Sequence, residues 1–438
     1  MNSHLTSVFK TDTVTKIKTK LFNALSFQYI PHPKVLLFIA IPFILCQCKS
    51  PEKQVQTAVP KQKFYTLKSP ATIGTTDVGQ QLFLGGFSSL VYKGKTESGE
   101  FEFYTITDRG PNAYTMADSK VSDIAKPFLL PAFNPEIIII RTDSKNMNLE
   151  IVSRIPLKYD DTKLMTGLPN IEKTKATAGD EYPVNNHGKP LEFDLMGIDS
   201  EGLTLDPEGN FWVCDEYRPS ILKFSKDGVL IKRFVPANFK GSDPKLSKTL
   251  PAIYGERQLN RGFEGLTYRN GKILAVMQSP LNIKKDKNKN VVRILEFDLK
   301  TEKPSGDYMI LLADKQIDKI GDINVFNDDL IYILQNGQVG ENGYHRIFRI
   351  RQMTAIKGQP EKSNLDKLTA SYQAPIEILD LKAAGFDMEK TEGLAPIDAN
   401  TMAVINDNDF GLNGGIDRQK GTVPMAPDRS TVLAIISL

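Results

Sequence analysis

Cysteine, histidine and tryptophan are all scarce: 438 residues hold three Cys, four His and one Trp. Cys46 and Cys48 close the one strongly apolar run near the amino terminus, which leaves Cys214 alone and excludes a disulfide framework behind it. Cys214 lies in the strand-like run FWVCDEY, where a small buried hydrophobe is expected. Only His187 and His345 fall beyond the amino-terminal region, with no H-E-x-x-H run and no cysteine pair, so zinc hydrolysis is poorly served. There is no G-x-S-x-G elbow, no Walker A run and no dinucleotide fingerprint. An excess of one charge is missing too: 55 basic against 52 acidic residues leave a formal +3. The two signs are interspersed, which argues against a nucleic-acid partner. The one basic run, Lys284 to Lys289, sits between apolar segments and reads as a solvated hairpin tip.

Long hydrophobic runs are represented once. Residues 35–46, VLLFIAIPFILC, follow Lys34 and suit a signal-peptide h-region; they are too short to span a bilayer stably. The run ends in CQCKS, with Leu45 three positions before Cys48, like a bacterial lipobox. Cys48 is the expected lipidation site, because Gln47 before it is less bulky than the Leu45 that precedes the alternative, Cys46. The expected organisation is a signal and lipoprotein segment over 1–48, a Lys-, Gln- and Pro-containing tether over 49–63, and one globular domain over 64–438. Export and lipid anchoring in a bacterial cell envelope, at the outer membrane or cell surface, follow as expectations.

What is present, at 40% hydrophobic and 24% charged, is the balance of a globular protein, and it is organised as a repeat. An acid, a glycine and a short apolar strand are followed by a turn and a second strand. Three copies are plain: DSEGLTLDPEGNFWVCDEY from Asp199, GFEGLTYRNGKILAVMQSP from Gly262, and TEGLAPIDANTMAVINDND from Thr391. Glu201 to Glu264 is 63 residues and Glu264 to Glu392 is 128, about twice that, so a copy is expected midway. GDINVFNDDLIYILQNG from Gly321 fills it, with Asp322 in place of glutamate. An earlier copy, from Gly85, has Ser88 and Ser89 instead of the acid and glycine. Units of this length with short strands and no helical periodicity predict an all-β fold, a single β-propeller of five blades, or six if 111–195 hides a degenerate one. The last unit lacks a fourth strand, and the segment around residue 65 is expected to supply it and close the ring. Residues 158–195, polar and rich in Gly and Pro, form an insertion, either a lid or surface decoration.

Equivalent repeat positions converge on a propeller's channel, so Glu201, Glu264, Asp322 and Glu392 are expected to form a ring, with Asp108 and Asp407 at the ends of second strands. Crowded carboxylates raise one another's pKa unless a cation neutralises them, and hard oxygen ligands suit Ca²⁺ or another divalent cation. The competing expectation is that each acid caps the backbone of a neighbouring blade. Arg109 and Arg218 stand just beyond acids at strand ends, where an arginine fork would hold a phosphate or simply form an ion pair.

The runs GGFSSLVY, YTITDRGPN, DSEGLTLDPEGNFWVCDEY, FEGLTY and TEGLAPI…VINDND resemble the signatures of the phytase-like, "esterase-like activity of phytase" family, over nearly everything from residue 64 to 438. The resemblance implies hydrolysis of a small phosphoester or ester, metal-dependent by analogy with calcium-dependent propeller phytases; separately, a monomer held to the membrane through its lipid is expected. A lactonase or esterase with one channel metal, and a binding or scaffold propeller without catalysis, are the alternatives. The chain departs from the family pattern at Leu334–Gly337, where relatives tend to have a Glu-Arg pair, and at Ser88.

Overall fold

Each repeat folds as an antiparallel meander because its apolar runs are separated by residues that turn the chain. In DPEGN, Asp206 Oδ1 accepts from the Glu208 and Asn210 amides at 3.1 and 2.8 Å, and Gly209 takes φ +81°. The structure, a computed structural model, describes residues 61–438 apart from 117, 172–178, 283–289, 313–316, 340–341, 357–371 and 427. The apolar run with Cys46 and Cys48, the tether up to residue 60 and the basic run Lys284 to Lys289 lie outside the described residues.

Among the described residues the longer strands form five meanders, called sheets I to V, of which I and V join edge to edge where Thr66 pairs with Asn148. Sheet I is Phe87–Lys95, Phe101–Thr107, Glu136–Asp143 and Asn148–Pro156; sheet II is Ser200–Leu205, Phe211–Asp215, Ser220–Phe224 and Leu230–Pro236, with Leu246–Leu250 outside. Sheet III is Phe263–Arg269, Lys272–Met277, Val291–Asp298 and Lys303–Leu311; sheet IV is Ile317–Phe326, Leu330–Val339, Asn342–Ile350 and Ile376–Asp380. Sheet V is Thr391–Asp398, Thr401–Asn406, Val432–Ser437 and, from the other end of the chain, Gln62–Thr66. The first strands of sheets I to V touch one another in cyclic order, and V returns to I. Meanders radiating from a ring are the propeller architecture. The segments PEIIIIRTD and LEIVSRIPL, which lacked an acidic start of their own, are the third and fourth strands of sheet I.

The glycine after each ring acid is explained by how closely the inner strands approach. A Cβ at Gly202 would stand 2.7 Å from Leu266 N and 2.8 Å from Gly265 Cα; at Gly265, 2.9 Å from Ile323 N; at Gly393, 2.8 Å from Ser89 O. Where sheet I replaces the acid and glycine with serines, Leu203 N donates to Ser89 Oγ at 3.0 Å, so the seam to sheet II is held by a side chain.

Between sheets II and III, Trp212 stacks on Phe234 with centroids 6.1 Å apart, Phe234 meets Phe297 at 4.7 Å, and the indole N–H donates to Asp206 Oδ2 at 2.9 Å. Cys214 is buried in the same core. The ring closes as expected: Gln62–Thr66 pairs antiparallel with Val432–Ser437, Gln62 opposite Ile436 and Thr66 opposite Val432. Among the described residues every core side chain lies between Tyr65 and Ile436, and Ala58–Leu438 forms one compact unit with its own core. Among the described residues no helix is long and apolar enough to cross a membrane.

Candidate functional site

An antiparallel hairpin sets the end of its second strand beside the start of its first. Glu201, Glu264 and Glu392 are the second residues of the inner strands of sheets II, III and V, and Asp108, Glu216, Gln278 and Asp407 each follow the end of a second strand. All seven line one cavity of about 500 Å³, together with Arg109.

Two expected members are absent from that lining. Asp322 is fully buried between sheets IV and V, its carboxylate accepting from Ile323 N at 2.8 Å and from Leu394 N at 2.9 Å. That is the backbone-capping arrangement, and it follows from the tight seam: Asp322 Oδ1 occupies the space a side chain at position 265 would need. Arg218 also turns away from the cavity. Its Nε is 3.0 Å from Asp180 Oδ1, a carboxylate it shares with Arg257. Asp180 belongs to the 158–195 insertion, and its neighbour Glu181 reaches Arg109 Nη1 at 2.5 Å. The described part of the insertion is therefore clamped by ion pairs at the cavity rather than splayed over the surface.

Acids outnumber bases on the cavity wall nine to five. Most of the cations are committed to particular acids. Arg109 Nη1 lies between Glu181 and, at 3.2 Å, Asp199 Oδ2; Lys319 Nζ donates to Glu392 Oε1 at 2.8 Å; Lys390 Nζ reaches Asp407 Oδ2 at 3.0 Å and Asp409 Oδ1 at 2.6 Å. Most of the cavity acids respond as buried carboxylates do. Burial, then Asp199 and Glu264, push the Glu201 carboxyl well above its usual range. Burial, then Glu264 and Asp199, do the same to Glu216, and burial with Asp407 and Asp199 to Asp108. Glu264 rises to about 8, mainly by burial, with Lys319 opposing and Glu392 adding; Asp407 rises to about 7, mainly by burial against the pull of Lys390. For Glu392 burial is outweighed by Lys319 and Lys390, and its carboxyl is held at about 2.

Three acids are placed to share one cation. Asp199, Glu201 and Glu216, all buried, each offer an oxygen, and these oxygens lie within 4.8 Å of one another. Asn260 Nδ2 donates to Glu216 Oε2 at 2.5 Å and so orients that carboxylate. Glu264 Oε1 and Gln278 Oε1 are buried without a hydrogen-bond partner among the described residues. An all-oxygen, all-carboxylate set is chemistry that a hard divalent cation fits.

The repeat identified the ring acids but not the charges that tune them. Asp199, Arg261, Lys319 and Lys390 stand two or three residues before Glu201, Glu264, Asp322 and Glu392. A charged residue at that offset in four repeats is the signal that would have found them.

The family model for Phytase-like, esterase-like activity of phytase, matches residues 83–410. A protein of Arthroderma benhamiae described as an uncharacterized secreted protein is 29% identical over 273 residues, 52% of this chain and 52% of the relative, so the match spans about half of that relative's length. Among solved structures, virginiamycin B lyase from Staphylococcus aureus aligns at 11% identity and TM-score 0.33, covering 86% of this chain and 99% of that one. An arabinanase from Bacillus subtilis aligns at 10% identity and TM-score 0.35, covering 84% and 97%.

Proposed function

Since this chain belongs to the Phytase-like family, esterase-like activity of phytase, we propose that it is an exported propeller of five blades that hydrolyses a small phosphoester or ester with the help of a divalent cation. The observation that carries this reading is the buried trio Asp199, Glu201 and Glu216, with oxygens within 4.8 Å of one another, of which Glu201 and Glu216 line the acid-rich cavity and Asp199 lies behind them.

These three residues would hold the cation, Ca²⁺ being favoured by the hard oxygen set. When bound, such an ion polarises a phosphoryl or carbonyl oxygen and lowers the pKa of a coordinated water. The chain's own groups supply the rest. Arg109, fixed by Glu181 and Asp199, and Arg261 on the opposite strand end add positive charge to a wall that otherwise repels an anionic substrate. Glu181, through Arg109, and Asp180, through Arg218 and Arg257, hold the insertion in place and keep one side of the cavity closed to bulk water. A second reading, an ester or lactone hydrolase with one channel metal, is favoured by the single trio of this kind among the described residues. We take the protein to act as a monomer, with Cys48 its lipidated residue; the relative described as secreted supports export.

The test is a Ca²⁺ titration of the purified protein, following melting temperature together with phosphatase, esterase and lactonase turnover. Metal-dependent stability and turnover, both lost in Glu201→Gln and Glu216→Gln, are expected. No metal response and no turnover would leave an anchored binding or scaffold propeller.

A further inference from the structure

The side of the ring away from the cavity carries a second concavity, a groove of about 850 Å³ along the seam of sheets V and I. Its walls include Lys61, Lys63, Lys95, Phe101, Ile397 and Ile435. Strand direction fixes where it lies. In the inner strand Thr391–Asp398, Glu392 lines the cavity and Asp398 lines the groove, six residues on. At roughly 3.3 Å per residue that is about 20 Å, the thickness of the ring. The hairpin of sheet I repeats the pattern, with Lys95 and Phe101 in the groove and Asp108, after the far end of the second strand, in the cavity.

The floor of the groove is apolar and its rim is basic. Lys61, Lys63 and Lys95 are exposed and have no ion-pair partner among the described residues, against one acid, Asp398, on the same rim. Lys95 Nζ lies over the Phe101 ring, 4.5 Å from its centroid, so the ammonium sits against an apolar wall of the groove by a cation–π contact. The closing strand begins at Gln62, so the sixty residues before Lys61 join the domain at the rim of this groove.

We propose that this face docks on an anionic lipid surface, the three lysines meeting headgroups and the apolar floor meeting the boundary below them. A basic rim around apolar side chains is the combination that lipid interfaces select. A second copy is disfavoured, because a two-fold contact would set lysines against lysines. Docking in this way turns the cavity mouth away from the membrane. The inference rests on the groove and on where the chain enters the domain, not on lipidation.

The test uses the fragment Ala58–Leu438, which lacks Cys46 and Cys48, in co-sedimentation with vesicles of phosphatidylcholine alone or of an equimolar mixture with phosphatidylglycerol. The fragment is expected to bind the mixed vesicles, and high salt to release it. Lys61→Gln, Lys63→Gln and Lys95→Gln combined should weaken binding on the order of a hundredfold, each basic side chain near such a surface contributing about fivefold. The same change at Lys163, Lys189 and Lys420, exposed away from the groove, should leave binding as it is, and all variants should melt with the wild type. Absence of binding, equal binding to neutral vesicles, or equal weakening by both triple changes overturns the proposal. So does a dimer in sedimentation equilibrium that the groove variant alone dissolves, which would make the face a contact between copies.

Discussion

Lys319 donates to Glu392 Oε1 at 2.8 Å across the seam between sheets IV and V, and this contact separates two acids that the repeat makes equivalent. Glu392 is held at about 2, whereas Glu264, one repeat position away from such a partner, stands at about 8. With side chains 20% and 7% exposed, the pair is largely desolvated. Lys319→Met is expected to cost about 3 kcal/mol at neutral pH by stranding a buried carboxylate. Adding Glu392→Gln should recover part of that loss, a coupling that urea denaturation of the single and double variants would measure.

The same shifts give the metal-free protein a stability profile with a definite sign. Glu264 and Asp407 have folded pKa values of about 8 and 7, above their ordinary 4.5 and 3.8. Their contribution is fully present below the ordinary values and is lost as pH rises through the folded ones. Glu392 is depressed, so its contribution is present above 4.5 and is lost as pH falls toward about 2. Melting temperature in chelator should therefore peak at mildly acidic pH and decline toward pH 8. A flat or rising profile across that interval would mean that these carboxyls do not carry protons in the folded state.

A divalent cation should reverse that slope. Glu201 and Glu216 are pushed up and must give up protons to coordinate an ion, so binding is expected to release protons and to stabilise more at alkaline than at acidic pH. At a hundred times its dissociation constant the ion should add about 2.7 kcal/mol. Calorimetry in two buffers of different ionisation enthalpy counts the protons, and Glu216→Gln should abolish both effects.

Gly202→Ala tests the seams. The new methyl would meet Leu266 N at 2.7 Å and Gly265 Cα at 2.8 Å, backbone atoms of the next inner strand that have no room to yield. We expect a loss of about 2–3 kcal/mol from overpacking. Gly415→Ala, with nothing within 4 Å, should be near neutral. Trp212, the chain's one tryptophan, sits beside this seam and reports unfolding by fluorescence.

The sheets were legible because every repeat carries its own start, turn and second strand, and the gap between Glu264 and Glu392 even located the degenerate copy at Asp322. The closing strand was legible because sheet V was one strand short. The roles of Asp322 and Arg218 were not, since repeat phase places a residue on the ring without saying which way its side chain turns. A carboxylate at a tight seam finds backbone amides 2.8–2.9 Å away before it finds the channel. Asp180, the partner of Arg218, is distant in sequence and lies in an insertion with no repeat counterpart. Lys319 and Lys390 were not legible for a related reason: a charge two or three residues before a strand's acid reads equally well as a solvated loop residue, and only the seam brings it onto the cavity.

Sheet V draws strands from both ends of the chain, and this sets an order of events during synthesis. Gln62–Thr66 is made first and its partner Val432–Ser437 last. Through almost the whole of translation the early strand has no native neighbour on that side, and the ring can close only after the final residues appear. A chain with this wiring stays unlocked until both strands of the seam have been made. It also means that losing a handful of residues at the carboxyl end would open the ring rather than merely shorten it.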